Sequence, residues 1–185
     1  MSSVSRIDAC ESRLAVARRL ALVDTAKWLC STAISIQSRE GSSMPTVEEV
    51  SQKVQRILAD NFRTRLGREG DFFIDAESTY CRVRCVEWNP DYVMIRLEIP
   101  ILFGVPISDE LCRWIALDDP RVFGTYGLYA DDSGKEGSLW FDHNLLGNTI
   151  DTDELCIAVA LCLRFADGQD DELKKRFGGR LASDE

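Results

Sequence analysis

The chain holds a single histidine, His143, among 185 residues. One imidazole excludes two-histidine metal sites. It also leaves only one base for a nucleophile triad, and no G-x-S-x-G turn or equivalent accompanies it. Seven cysteines are present, but no C-x-x-C pair. Cys81 and Cys85 stand four apart on a predicted strand, too far for easy chelation. The odd cysteine set does not read as a disulfide framework, so the expected compartment is a reducing cytoplasm. No run of about 18 apolar residues exists, so no membrane span is expected. Asp24 and Lys27 interrupt the stretch where the apolar part of an export signal would lie. Basic residues are outnumbered, 22 Lys and Arg against 31 Asp and Glu, for a net charge of −9. That balance disfavours a nucleic-acid partner, whose phosphates need clustered cations. Gly124-Thr125-Tyr126-Gly127 lacks the lysine of a phosphate loop. The acidic runs Asp131-Asp132 and Asp167 to Glu172 lack the alternate ligand spacing of a calcium loop and read as turns and helix caps. No titratable pair is set up for acid–base work, so an enzyme is not expected.

What is present is a long alternating stretch, Tyr80 to Phe103. Cys81, Val83 and Cys85 alternate with Arg82, Arg84 and Val86. After Asn89-Pro90-Asp91, Val93, Ile95, Leu97, Ile99 and Ile101 alternate with Met94, Arg96 and Glu98. Period-two alternation of this length predicts a hairpin with one buried face. Both apolar sets must face the same way, because a slip of one residue turns one of them outward. The register that satisfies this puts Cys85 opposite Ile95, Val83 opposite Leu97, Arg82 opposite Glu98 and Val86 opposite Met94. It implies an odd-numbered loop centred on Pro90.

Around the hairpin the other elements are predicted in order. Residues 1–43 are mildly basic, unlike the acidic remainder, and carry a helical pattern from Ile7 to Ile36. They read as a packed helical extension, a flexible appendage, or sequence ahead of a start at Met44. Thr46 with Glu49 makes a capping box for a helix bearing Val47, Val50, Val54, Ile57 and Leu58. A short strand, Asp71–Asp75, precedes the hairpin. Ser108 starts a second helix with Leu111, Trp114 and Ile115 on its core side. Strands near 125–131 and 138–145 follow, with His143 leaning to the core or its edge. Asp151 or Thr152 caps a helix carrying Leu155, Val159, Cys162, Leu163 and Ala166, and a short helix runs from Asp170 to Phe177. Cys81, Cys85, Cys156 and Cys162 fall at core phases and are expected to be buried, reduced and unligated.

Parity sends a second set of residues to the other side of the sheet. Val86, Trp88, Met94 and Trp140 share it with Arg82, Arg84 and Arg96. Exposed aromatics among arginines read as a site for a protein or peptide partner. The competing reading has the first core helix or the N-terminal helices covering these tryptophans.

The order α-β-β-β-α-β-β-α from Thr46 to Phe177 resembles the superfamily of type III secretion chaperones and YbjN-like peptide-binding chaperones. The second half carries most of the likeness. Pro106-Ile107-Ser108-Asp109-Glu110-Leu111 opens a helix after a long apolar strand. Tyr129-Ala130-Asp131-Asp132-Ser133-Gly134, Ser138-Leu139-Trp140-Phe141 and the acidic-capped helix ending in Phe165-Ala166-Asp167 then look like the YbjN branch. The resemblance implies an α+β domain over 44–185 with an antiparallel sheet. It implies no enzymatic activity and no cofactor, a polypeptide partner bound on sheet and helix surfaces, and a homodimer. A dimeric regulatory or scaffold protein without a client peptide is the alternative.

Overall fold

The computed structural model describes residues 44–118 and 123–184. The expectations for residues 1–43 lie outside the described residues. From Met44 onward the chain is an α+β domain with one six-stranded antiparallel sheet.

The first helix, α1 (Val47–Asn61), starts where the capping box placed it. The Glu49 amide donates to Thr46 Oγ1 at 3.2 Å, and the Thr46 amide donates to Glu49 Oε2 at 2.8 Å. Two of the helix's orphan amides are thereby satisfied. Its stripe Val50, Val54, Ile57 and Leu58 is buried. The strands are β1 (Thr64–Leu66), β2 (Phe72–Asp75), β3 (Tyr80–Asn89), β4 (Tyr92–Pro106), β5 (Thr125–Ala130) and β6 (Glu136–Leu146). Their order across the sheet is β1-β2-β3-β4-β6-β5. Sequence reading missed β1, so the observed order is one strand longer than expected. Thr64-Arg65-Leu66 is a three-residue edge strand, too short to show alternation.

The hairpin register is the expected one from Arg82–Glu98 to Val86–Met94. It then shifts between Glu87 and Asn89, which pairs with Tyr92. Trp88 therefore stands in a β-bulge, and the turn holds only Pro90 and Asp91. The odd loop expected around Pro90 is corrected accordingly: the extra residue lies in the strand, not in the turn. The side chain of Asn148 fixes the hairpin tip. Its amide donates to the Asp91 carbonyl and its Oδ1 accepts from the Val93 amide, both at 2.9 Å.

Pro100 lies within the central strand β4, although it has no amide to offer a ladder. The ladder to β6 changes register beside it, between Pro100 and Leu102. The Thr79 hydroxyl donates to the Pro100 carbonyl. This bulge also explains why Ile101 and Leu102 are both buried.

The second helix also differs from expectation. α2 (Asp109–Arg113) is capped by Ser108 but continues as a π-helical turn, Trp114–Asp118. Leu111 and Trp114 are buried, with the Trp114 ring 5.0 Å from Tyr126 and 5.5 Å from Phe177. α3 (Thr152–Asp167) has Asp151 as its cap, and α4 (Asp170–Phe177) follows it.

All four helices bury their apolar residues in one cluster with Val83, Ile95, Leu97, Ile99, Leu139 and Phe141 of the sheet. Each fully buried aliphatic or Phe side chain contributes about 1.5–3 kcal/mol, so this face dominates stability. The four cysteines of interest are free thiols. Cys81 and Cys162 are buried, while Cys85 and Cys156 are half-buried. Burial pushes the Cys162 thiol up to about 12 and the Cys85 thiol to about 11, and holds Cys81 well above its ordinary value. His143 pairs with Leu97 and meets the Phe123 ring edge-on at 5.3 Å, at the margin of the core as expected.

Candidate functional site

With the helices gathered on one side, the other side of the sheet carries none of the described helices. α1 packs into the core, so it does not cover the tryptophans. Cross-strand pairing arranges this outer face in rows. Phe73, Arg82, Glu98 and Asp142 form one row. Arg84, Arg96 and Asn144 form the next, and Val86, Met94 and Leu146 the third. On the other flank Pro100 pairs with Trp140, which pairs with Gly127.

Arg84 opposite Arg96 would repel on its own. Glu98, only 7% exposed, resolves this by drawing both in. Arg84 Nε and Nη2 donate to its two carboxylate oxygens at 2.9 and 2.6 Å. Arg96 Nη2 lies 3.2 Å from Oε1, and Arg82 Nη1 4.0 Å from Oε2. Glu98 in turn raises the pKa of Arg84, through the hydrogen bonds first. Arg82 is held further out by Asp71, through Nε, and by Glu69 at 3.1 Å. A carboxylate this buried is stable only with such charge-assisted bonds.

Beside the cluster the face sinks into a depression of about 520 Å³. Arg82, Arg84, Arg96, Glu98, Tyr129 and Trp140 line it, together with Asp142. The Tyr129 hydroxyl donates to Asp142 Oδ2 at 3.0 Å. Burial raises the Asp142 carboxyl above the usual aspartate range, although Tyr129 and the arginines pull the other way. The Tyr129 hydroxyl is also raised, by burial first and then by its bond to Asp142. Gly127 makes room for this pair: a Cβ there would lie 2.9 Å from the Tyr129 ring and 3.0 Å from Asp142 Oδ2. Trp140 is half-buried and meets Phe103 edge-on at 6.0 Å.

The structure thus brings Arg82, Arg84, Arg96 and Trp140 to one depression. Val86 and Met94 lie one row beyond it, half-buried beside Leu146. Trp88 is 64% exposed, with its ring 6.2 Å from Tyr92 at the hairpin tip. Parity reasoning placed Trp88 beside Val86 and Met94, but the bulge takes it out of that alternation. Sequence reading saw Glu98 only as a partner of Arg82. Its place among three strand arginines was the available signal for the cluster. Asp142 and Tyr129 were missed, although Asp142 shares the parity that sends Trp140 to this face. Among the described residues, no group of three or more His, Cys, Asp or Glu side chains is placed to hold a metal ion. No described helix is long and apolar enough to cross a membrane.

A protein-family model described as T3SS (YopN, CesT) and YbjN peptide-binding chaperone 1 matches residues 48–185. The chain belongs to this family. The match spans the whole sheet and all four helices, from the second residue of α1 onward. The resemblance read from element order is therefore correct, and the family is one of peptide-binding chaperones. A search of the curated proteins finds no match.

Proposed function

We propose that the outer face of the sheet holds an extended segment of a partner polypeptide, so that the domain works as a chaperone-like binding module. The observation that carries this reading is a sheet face that no described helix covers, with a 520 Å³ depression where aromatic area adjoins paired charges. An extended peptide presents carbonyl and amide groups along its length. The guanidinium groups of Arg82, Arg84 and Arg96 offer donors to its carbonyls, and Asp142 offers an acceptor. Trp140 and Tyr129 supply apolar area at little conformational cost. The row Val86, Met94 and Leu146 suits an apolar side chain of the segment, with Trp88 and Tyr92 extending it at the hairpin tip.

The charges also argue against other occupants. The arginines are already matched by Glu98, Asp71 and Glu69, which leaves little positive potential for a nucleic acid. A second copy packed here would face the same charged cluster with its own, at a desolvation cost on both sides. The carboxylates serve as partners to arginines and to Tyr129, an arrangement suited to positioning and not to turnover. The five cysteines among the described residues are free thiols, which suits work in a reducing cytoplasm.

Peptides selected from a display library on the domain provide the test. Trp88→Ala with Trp140→Ala is expected to keep the fold and weaken the selected peptides by about 2 kcal/mol, roughly 30-fold. A double variant that folds and binds as before would place the interface elsewhere.

A further inference from the structure

Charge in the lining of the depression is not balanced, and the surplus sits at one end. Three arginines face four carboxylates, those of Glu98, Asp131, Glu136 and Asp142. Outside the lining, Asp71 and Glu69 bind Arg82 as well, so the arginine end is already matched. At the other end, Asp131 and Glu136 have no ion-pair partner among the described residues. The backbone holds these two together: the Asp131 amide donates to the Glu136 carbonyl at 2.8 Å. The Asp131 carboxylate accepts from the Ser133 hydroxyl at 2.8 Å, a neutral donor that leaves its charge in place.

Between the two ends the floor is built of small residues. Ala130, Gly137 and Ser138 come from the β5–β6 hairpin, and Gly104 from β4. A side chain at Gly104 would begin 3.7 Å from Glu136 Oε2, so the glycine leaves that carboxylate uncovered. Glu136, Ser138 and Trp140 project from one face of β6, each about 7 Å from the next. The Tyr129 ring lies over Gly127, the cross-strand neighbour of Trp140. The depression thus runs from an aromatic wall, across a bare floor, to two unmatched carboxylates. A long apolar stem with a positive end fits that succession of surfaces. An apolar side chain would cover the carboxylates without pairing them, and an acidic one would be repelled.

We infer that the segment bound here carries a lysine or arginine whose stem lies over Ser138 against Trp140 and Tyr129, and whose charge meets Glu136 and Asp131. This rests on the proposal that the face holds an extended polypeptide, and it names the side chain by which the face selects one.

Random peptides displayed on phage and selected on the full chain test this. The selected peptides should share one basic position. Replacing that residue by Gln in a synthetic peptide should raise its dissociation constant on the parent by about tenfold or more. On the protein carrying Glu136→Gln and Asp131→Asn, the same replacement should cost less than about threefold, because the partner charges are gone. Both substitutions lie at exposed positions and keep a side-chain acceptor, so the thermal midpoint should not move. Peptides that lose affinity on Trp140→Ala yet share no basic position overturn the inference and leave the binding face standing. So does a basic position whose replacement costs as much on the neutralised protein as on the parent. Peptides indifferent to Trp140→Ala, or the selection of none, overturn the inference together with the binding face.

Discussion

Replacing Glu98 by Gln keeps the shape of the side chain and removes the charge on which three guanidinium groups converge. The loss can be sized from the geometry. Arg84 makes two hydrogen bonds to Glu98, Arg96 an ion pair at 3.2 Å, and Arg82 approaches to 4.0 Å. A unit pair at about 4 Å gains about 4 kcal/mol at an effective dielectric near 20, before any desolvation is counted. Removing one member of a buried pair costs about 3–5 kcal/mol, because the other is left uncompensated. The arginine side chains here are 25–32% exposed, so water absorbs part of that. The Gln carbonyl also still accepts from Arg84. The expected loss is about 2–3 kcal/mol, a fall in Tm of about 6–12 °C for a domain of this size. Urea melts at neutral pH give the first number and thermal melts the second. Removing Arg84 as well should return about 1 kcal/mol, since one orphaned charge goes with it. A Gln variant within about 0.5 kcal/mol of the parent would refute the reasoning, because the cluster would then be screened like any surface pair. So would a further loss on removing Arg84.

Two other outcomes follow from the titratable groups of the core. Native-state thiol labelling should leave Cys81 and Cys162 unmodified long after the exposed Cys112 has reacted, since burial raises both thiols and withholds the thiolate. Labelling of Cys81 at the rate of Cys112 would contradict the burial. Burial also lowers the pKa of His143 from its ordinary 6.5. The folded state thus binds this proton less readily than the unfolded chain does. His143 favours folding above pH 6.5, and the advantage is lost as pH falls through that value toward the lowered folded one. His143→Gln should flatten this part of the stability–pH curve, whereas an unchanged slope would assign the acid sensitivity to other groups.

The fold was legible wherever alternation or caps repeat the same message. The Thr46–Glu49 box, the Asp151 cap and the pairing of Arg82 with Glu98 were all readable, because each follows from local sequence or from parity. What escaped was what breaks a period. The bulge at Trp88 adds one residue to a strand without any glycine to announce it. The π-helical turn after Arg113 continues an apolar phase that reads equally well as α-helix. β1 has three residues and no core face to betray it. The candidate site was legible by half. Arginines and Trp140 appear in the alternation, and Asp142 shares it, but Asp142 meets Tyr129 only through a strand pairing, β5 with β6, and a glycine at 127. Their role depends on which residues lie next to which in three dimensions.

The strand order also shapes how the chain's two halves are joined. β1 to β4 form a meander of sequence neighbours, and β5 with β6 form a hairpin of their own. Only the β4–β6 seam connects them, and α2, its π-helical turn and β5 lie between these two strands in sequence. Each half can close its own hydrogen bonds over short loops, while the seam must bring distant segments together at a larger entropic cost. The long strand β4 is therefore both the last strand of one unit and the template for the other. Until β6 docks, β4 is an unpaired edge, rich in Val, Ile and Leu, of the kind that recruits a neighbouring molecule. Pro100 lies on that edge and withholds one amide from any strand that would add there, giving the nascent chain some protection against pairing with the wrong partner.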